Sequence, residues 1–351
     1  MLRRLAKTSE LQADFLPSIL RPVSTTRRLV VIVAASVAAM LPHALGAQQS
    51  RPDKVALRFG WPVGMSARVH QDWSRVQSRS GRRDSTHVVS SYRLRVAAHP
   101  KGRLIQVDSY HVVAPSVARQ AVGVEQLLAR MGSFLPSYVV TANGEFVGVE
   151  GLAQVKSTLD SLFAPMLAEL ERAPAAARQF VAAATSAEAL TASAAQEWNM
   201  IVGTWVGADW EVGELYTSSA DEAIPVLPDV TIKMSYEFSA AARVACPGAA
   251  NSAARRCVRL EMRSEPDSAA MRKTVSELLN TVAPEARAQV AAFGQMRSEN
   301  RVTLIADPRD LRPYRLELVR SFAIAREATS AEPAESATRV DRRVVQYTHV
   351  P

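Results

Sequence analysis

Residues 87–113 read HVVSSYRLRVAAHPKGRLIQVDSYHVV, and the spacing within that stretch decides the fold. Apolar side chains recur at alternate positions, first Val88, Tyr92, Leu94 and Val96, then Ile105, Val107 and Val113. Between the two rows lies His99-Pro100-Lys101-Gly102, a turn by composition. A period of two sends successive side chains to opposite faces of a strand, so the spacing predicts strands over 86–97 and 103–113. The pattern extends backwards. Met65, Ala67, Val69 and Trp73 line one face of a strand over 65–79, and Gly81-Arg82-Arg83-Asp84 turns it into the next. Arginines and hydroxyls back each apolar row, as in an antiparallel meander with one buried face.

Toward the C-terminus, a helix is expected over about 117–131. SYVVTANGEFVGVEG (137–151) then forms two strands around Asn143-Gly144. Residues from about 151 to 206 are helix-rich, with Leu152, Val155, Leu159, Leu162, Phe163, Met166 and Leu170 on one stripe. Pro165 can split that stripe, Pro174 opens an Ala-rich helix, and Thr185 with Glu188 has the spacing of a capping box. A further helix is expected over 267–282, its apolar face formed by Met271, Val275, Leu278, Leu279 and Val282. Strands return at 298–306, 313–325 and 339–349, the first two joined by the Asp- and Pro-rich turn 307–313. Residues 327–337 read as a flexible polar loop. The expected class is α+β: a large antiparallel sheet that could curve into a half-barrel, with helices packed on its apolar face. No long linker divides residues 48–351, so they are expected to form a single domain.

The chain has two cysteines, Cys246 and Cys257, in the stretch KMSYEFSAAARVACPGAANSAARRCVRLEM (233–262). Ile232, Met234, Tyr236 and Phe238 share one face of the first strand there, and Val258, Leu260 and Met262 share one face of the second. Opposed residues of an antiparallel pair share a face, so the two apolar rows need an even index sum, as in Phe238 with Val258. Cys246 with Cys257 gives an odd sum. A disulfide between them therefore cannot be a rung of one unbroken ladder. It must clip the loop 239–257 at its base or sit beyond a bulge. A closed loop this short contributes a little under ~3 kcal/mol in the chain-entropy description.

Disulfides belong to oxidising compartments, and the N-terminus agrees. Arg27 and Arg28 precede an apolar run from Leu29 to Leu41, too short to span a bilayer and followed by small residues. Residues 1–47 are expected to be a signal peptide, cleaved after Gly46 or Ala47. No cysteine stands at that point, so the protein is not expected to be a lipoprotein. The expectation is export to the periplasm or beyond, without a transmembrane anchor. Half of the net charge of +8 falls within residues 1–47, which hold six basic and two acidic residues. What remains is spread along the chain, weak ground for a nucleic-acid partner.

Two clusters are candidate sites. Of the histidines His70, His87, His99, His111 and His349, four lie in or beside the first meander. Face parity separates them, with His70 and His87 on polar faces, His99 in a turn and only His111 inward, so no metal site is expected. WNMIVGTWVGADWEVGELY (198–216) gathers Trp198, Trp205 and Trp210. It fits either a mobile aromatic lip over an apolar pocket or a continuation of the helical core. Arg93, Arg95, Arg342 and Arg343 are read as solvated faces. No G-x-S-x-G, H-E-x-x-H or phosphate-loop motif occurs, and no catalytic residue or cofactor is expected.

A half-open antiparallel sheet around apolar helices in an exported chain, with ADPRDLRPYRLEL (306–318) as a late strand–turn–strand, resembles the periplasmic lipoprotein-carrier (Lol-type) superfamily. YRLRVAAHPKGRLIQVDSY (92–110) and VGELY (212–216) also resemble uncharacterised exported β-rich bacterial proteins. The resemblance is one of pattern over most of the mature chain, without a signature motif. It implies that acyl chains are held between sheet and helices, but fold alone does not fix function. The resulting expectation is a noncatalytic binder of an apolar or lipid-like ligand, with Trp198, Trp205 and Trp210 as contacts. The alternative is a fully packed structural or interaction protein of the cell envelope, displaying loops 239–257 and 327–337; a hydrolase ranks third.

Overall fold

A computed structural model describes residues 53–79, 81–113, 137–157, 185–224, 227–248, 256–282, 293–326 and 335–350, with a few positions between 158 and 184. The expected signal segment 1–47, the helix at 117–131 and most of the stripe after Leu152 lie outside the described residues.

The described chain is mostly antiparallel strand. It runs β1 (Lys54–Ala56), β2 (Ser66–Arg79), β3 (Arg82–His99), β4 (Gly102–Val113), β5 (Ser137–Val140), β6 (Phe146–Glu150), helix α1 (Ala187–Trp198), β7 (Asp209–Glu211) and β8 (Leu215–Ile224). There follow β9 (Leu227–Ala245), β10 (Arg256–Pro266), helix α2 (Ser268–Val282), β11 (Phe293–Ala306), β12 (Pro313–Arg326) and β13 (Glu335–Val350). Eleven strands form one sheet in the order β6-β5-β4-β3-β2-β13-β12-β11-β10-β9-β8, while β1 and β7 pair separately. Every neighbour in the large sheet is consecutive in sequence except β2 and β13. Those two join the blocks from the two ends of the chain, from Ala337 opposite Arg79 to Val350 opposite Ser66. The sheet is open, with β6 and β8 as its edges.

Two irregularities decide which side chains point inward. Opposite β3, Ser91 faces His111 but Arg93 faces Asp108, so β4 carries an extra residue where Ser109 adopts a φ of 56°. The bulge reverses the faces beyond it. His111 is consequently exposed, not inward as alternation counted from the turn predicts.

The second bulge lies between β9 and β10. Leu260 faces Ala240 but Arg259 faces Ala242, leaving Ala241 unpaired. Index sums are even on one side, as in Met262 with Phe238, and odd on the other, where Cys257 faces Val244. Cys246 stands two residues beyond Val244, hence on the face of Cys257, and the two are disulfide-bonded with Cα atoms 5.0 Å apart. The parity that forbids this bond in an unbroken ladder is restored by one inserted alanine. Phe238 pairs with Met262 in place of Val258, and β9 continues to Ala245, so strand takes up residues 239–245 of the expected loop. Likewise, residues 335–337 belong to β13 and only 327–334 lie outside the described residues.

The core joins the inner sheet face to the segment after β1 and to the end of α1. Val69, Leu94, Ile105, Val302, Leu304, Leu316 and Val345 supply the sheet side. Leu57, Phe59 and Trp61 alternate along residues 57–61 and are buried against Trp198, Ile201 and Trp205. Helix α1 is capped by Ser186, whose hydroxyl accepts from the Ala189 N–H at 3.1 Å, one residue later than the expected Thr185. Helix α2 lies against β9 and β11, burying Met271 and Thr274 alongside Met234 and Met296.

Candidate functional site

The three tryptophans singled out by the sequence come together in one apolar body. Trp198 and Trp205 are 1% and 0% exposed, and Trp210 is buried beside them. A π-helical turn, Asn199–Gly203, continues α1 and swings Trp205 toward Trp210 and Phe238. Each indole N–H donates to a backbone carbonyl: Trp198 to Gly144 at 2.7 Å, Trp205 to Met200 at 3.0 Å and Trp210 to Trp205 at 3.2 Å. Gly144 is the turn glycine of the β5–β6 hairpin, at φ 88°, and a Cβ there would meet the Phe59 ring at 2.7 Å. Phe59 and Trp61 complete the cluster, packing at 5.6 and 5.4 Å from Trp198. Sequence reading passed over these two, although Val55, Leu57, Phe59 and Trp61 alternate as any strand face would.

Further along the strands the same inner face changes character. Direct pairing across the sheet places Arg75, Asp341, Arg320, Asn300, Ser264 and Tyr236 on one rung through β2, β13, β12, β11, β10 and β9. All but Arg75 share their strand face with core residues two or four positions away, such as Leu318 beside Arg320 and Met262 beside Ser264. A polar rung thus crosses a sheet face that is apolar on its tryptophan side. Asp341 accepts from Arg75 Nε and from Arg339 Nε, both at 2.6 Å. Asn300 Nδ2 donates to Ser264 Oγ at 3.4 Å, and the Arg75 guanidinium also lies 4.9 Å from the Trp73 ring.

One rung nearer the core, Arg343 bridges sheet and helix. It reaches Glu197 at the end of α1 with Nη2 at 2.8 Å and Gln71 Oε1 with Nε at 2.9 Å. Tyr138 of β5 donates to the other Glu197 oxygen at 3.0 Å. Burial alone would raise the Glu197 pKa, but the Arg343 charge and the two hydrogen bonds outweigh it and hold the carboxyl below its ordinary value. Burial opposes the charge on Arg343 as well, and Glu197 overcomes it. Arg343 is therefore not part of a solvated face, as the sequence suggested. Arg342, its neighbour, does point outward and pairs with Glu317. A strand cannot send two adjacent side chains the same way.

Arg320 differs from the other inner-face cations. It makes no hydrogen bond or ion pair among the described residues, although half-buried. Burial, together with the nearby Arg343 charge, lowers its hold on its proton relative to a free guanidinium. Among the described residues, Arg75, Arg320, Arg339 and Arg343 share this part of the inner face with the carboxylates Asp341 and Glu197.

Other candidates do not assemble. Among the described residues no three of His, Cys, Asp and Glu converge as metal ligands, and no helix is long and apolar enough to cross a membrane. His87 and Asp72 meet at 3.0 Å beside Ser74, but both are well exposed on the outer face and no hydrogen bond joins Ser74 to His87. Arg93 and Arg95 pair with Asp108 on that same outer face, as solvated arginines do. The chain matches no known protein-family model, and no curated protein matches it.

Proposed function

We propose that this is an exported, noncatalytic binding protein whose ligand is apolar and lipid-like and lies along the inner face of the sheet. The observation that carries the reading is the half-buried state of Trp73, Phe322 and Ile324 around the polar rung, on the face whose tryptophan end is fully packed. A core closed throughout would bury such side chains and would not run charged groups between them. The Cys246–Cys257 bond supports export, because such bonds persist where the surroundings are oxidising. On this reading Trp198, Trp205 and Trp210 wall one end of the ligand space, and the Glu197–Arg343 pair fixes α1 at its border.

The test is a native intact mass of the exported full chain, before and after incubation with methyl dodecanoate. The expected result is an adduct of lipid mass, lost on organic extraction and restored by the added ester. Phe322→Ser and Trp73→Ser should weaken retention without lowering the melting temperature. A bare mass in both samples would overturn the reading in favour of a fully packed interaction protein.

A further inference from the structure

Among the described residues, the inner face carries a guanidinium, Arg320, that makes no hydrogen bond, although the charges of Glu197 and Asp341 attract it. Arg75 and Arg339 hold Asp341 between them, and Arg343 is spent on Glu197 and Gln71. Arg320 sits directly opposite Asp341 on one side and Asn300 on the other, yet bonds to neither. Keeping a half-buried guanidinium without a hydrogen-bond partner costs stability, since desolvation is not repaid by a hydrogen bond. Asn300, Ser264 and Tyr236 follow on the same rung and add neutral donors. Phe322 and Ile324 lie beyond Arg320 on its own strand face, as apolar surface beside the charge.

We propose that Arg320 is the headgroup site of an amphipathic anion, a carboxylate or phosphate carrying an apolar tail. The planar fork of the guanidinium grips either oxyanion through paired N–H donors. Asn300 and Ser264 supply further polar contacts, and the tail runs over Phe322 and Ile324. This inference rests on the binding function proposed above and assigns the chemistry of its ligand.

The experiment is titration calorimetry of the exported full chain with dodecanoate, dodecyl phosphate, methyl dodecanoate and inorganic phosphate, in the wild type and in Arg320→Met. In the wild type both tailed anions should bind at least about tenfold more tightly than the neutral ester, the usual strength of a charge-assisted hydrogen bond. In Arg320→Met that preference should vanish while ester affinity stays the same. The variant should also melt at a higher temperature without ligand, because it loses an unpaired charge, so misfolding cannot mimic the result. Arg320→Lys should keep part of the preference. Equal binding of acid and ester by the wild type, or an equal loss of both in Arg320→Met, overturns the headgroup site and leaves the apolar-ligand reading standing. No binding of any tailed probe overturns both. Inorganic phosphate binding as tightly as dodecyl phosphate overturns the tailed ligand in favour of a free anion.

Discussion

The two ends of one sheet face are built on opposite principles. At the tryptophan end, Trp198, Trp205 and Trp210 are enclosed and each buried N–H meets a carbonyl. At the polar rung, Arg320 lies between Asn300 and Asp341 and hydrogen-bonds to neither. The first arrangement is dense packing in which three of four indole donors meet a carbonyl, Trp61 Nε1 being the exception. The second leaves a guanidinium without a hydrogen bond, which the proposed function assigns to a ligand. On the proposed function, the difference separates the residues that hold this protein together from those that bind its ligand.

Four substitutions break or sharpen that contrast. The largest effect is expected at the packed end, where Trp205→Ala empties a site that is 0% exposed and should cost about 3–5 kcal/mol in urea unfolding. A loss under about 1 kcal/mol would mean that Trp205 belongs to a deformable lip. Gly144→Ala should cost about 2 kcal/mol, since φ 88° strains a side-chain-bearing residue and the new Cβ would meet Phe59. A neutral result would show that the hairpin yields without disturbing the Trp198 bond.

Glu222, on the inner face of β8, tests the polar half. Burial pushes its pKa to about 7, above an ordinary 4.5. Between these values the folded protein keeps a proton that the unfolded chain has released, so wild-type stability should fall as pH rises from 4.5 to 7 and level off above it. Glu222→Gln should lack that component and be more stable at pH 8 by on the order of 2 kcal/mol. Parallel pH curves for the two proteins would contradict it. The smallest effect is expected at the rung itself. Arg320→Met should gain about 0.5–1 kcal/mol in the absence of ligand, and a loss there would mean that Arg320 already serves the fold.

How much of this was legible in the sequence differs from residue to residue. The cysteines show the most, because index parity alone required a bulge or an off-ladder clip, and the structure contains the bulge. Alternation located the meander and the late strands to within a few residues, and Asn143-Gly144 marked its hairpin. His111 was misplaced because a bulge at Ser109 leaves no clear compositional mark, and one extra residue reverses every face beyond it. Arg343 was misread for a related reason. Four arginines in alternating strands look alike until it is known which faces become interior, and Glu197, its partner, lies 146 positions away in the sequence.

By itself, then, the sequence determined the local elements: which stretches extend, where they turn, which side chains share a face, and that its two cysteines could not pair as a rung of one unbroken ladder. These follow from backbone periodicity and turn chemistry, which act over a few residues. Only the tertiary structure decided that β2 and β13 join the two ends of the chain, and that the strands stack in a register aligning Arg75, Asp341, Arg320, Asn300, Ser264 and Tyr236. Register between strands far apart in the chain is set by the summed packing of the whole face, and a rung assembled from six strands has no period along any one of them.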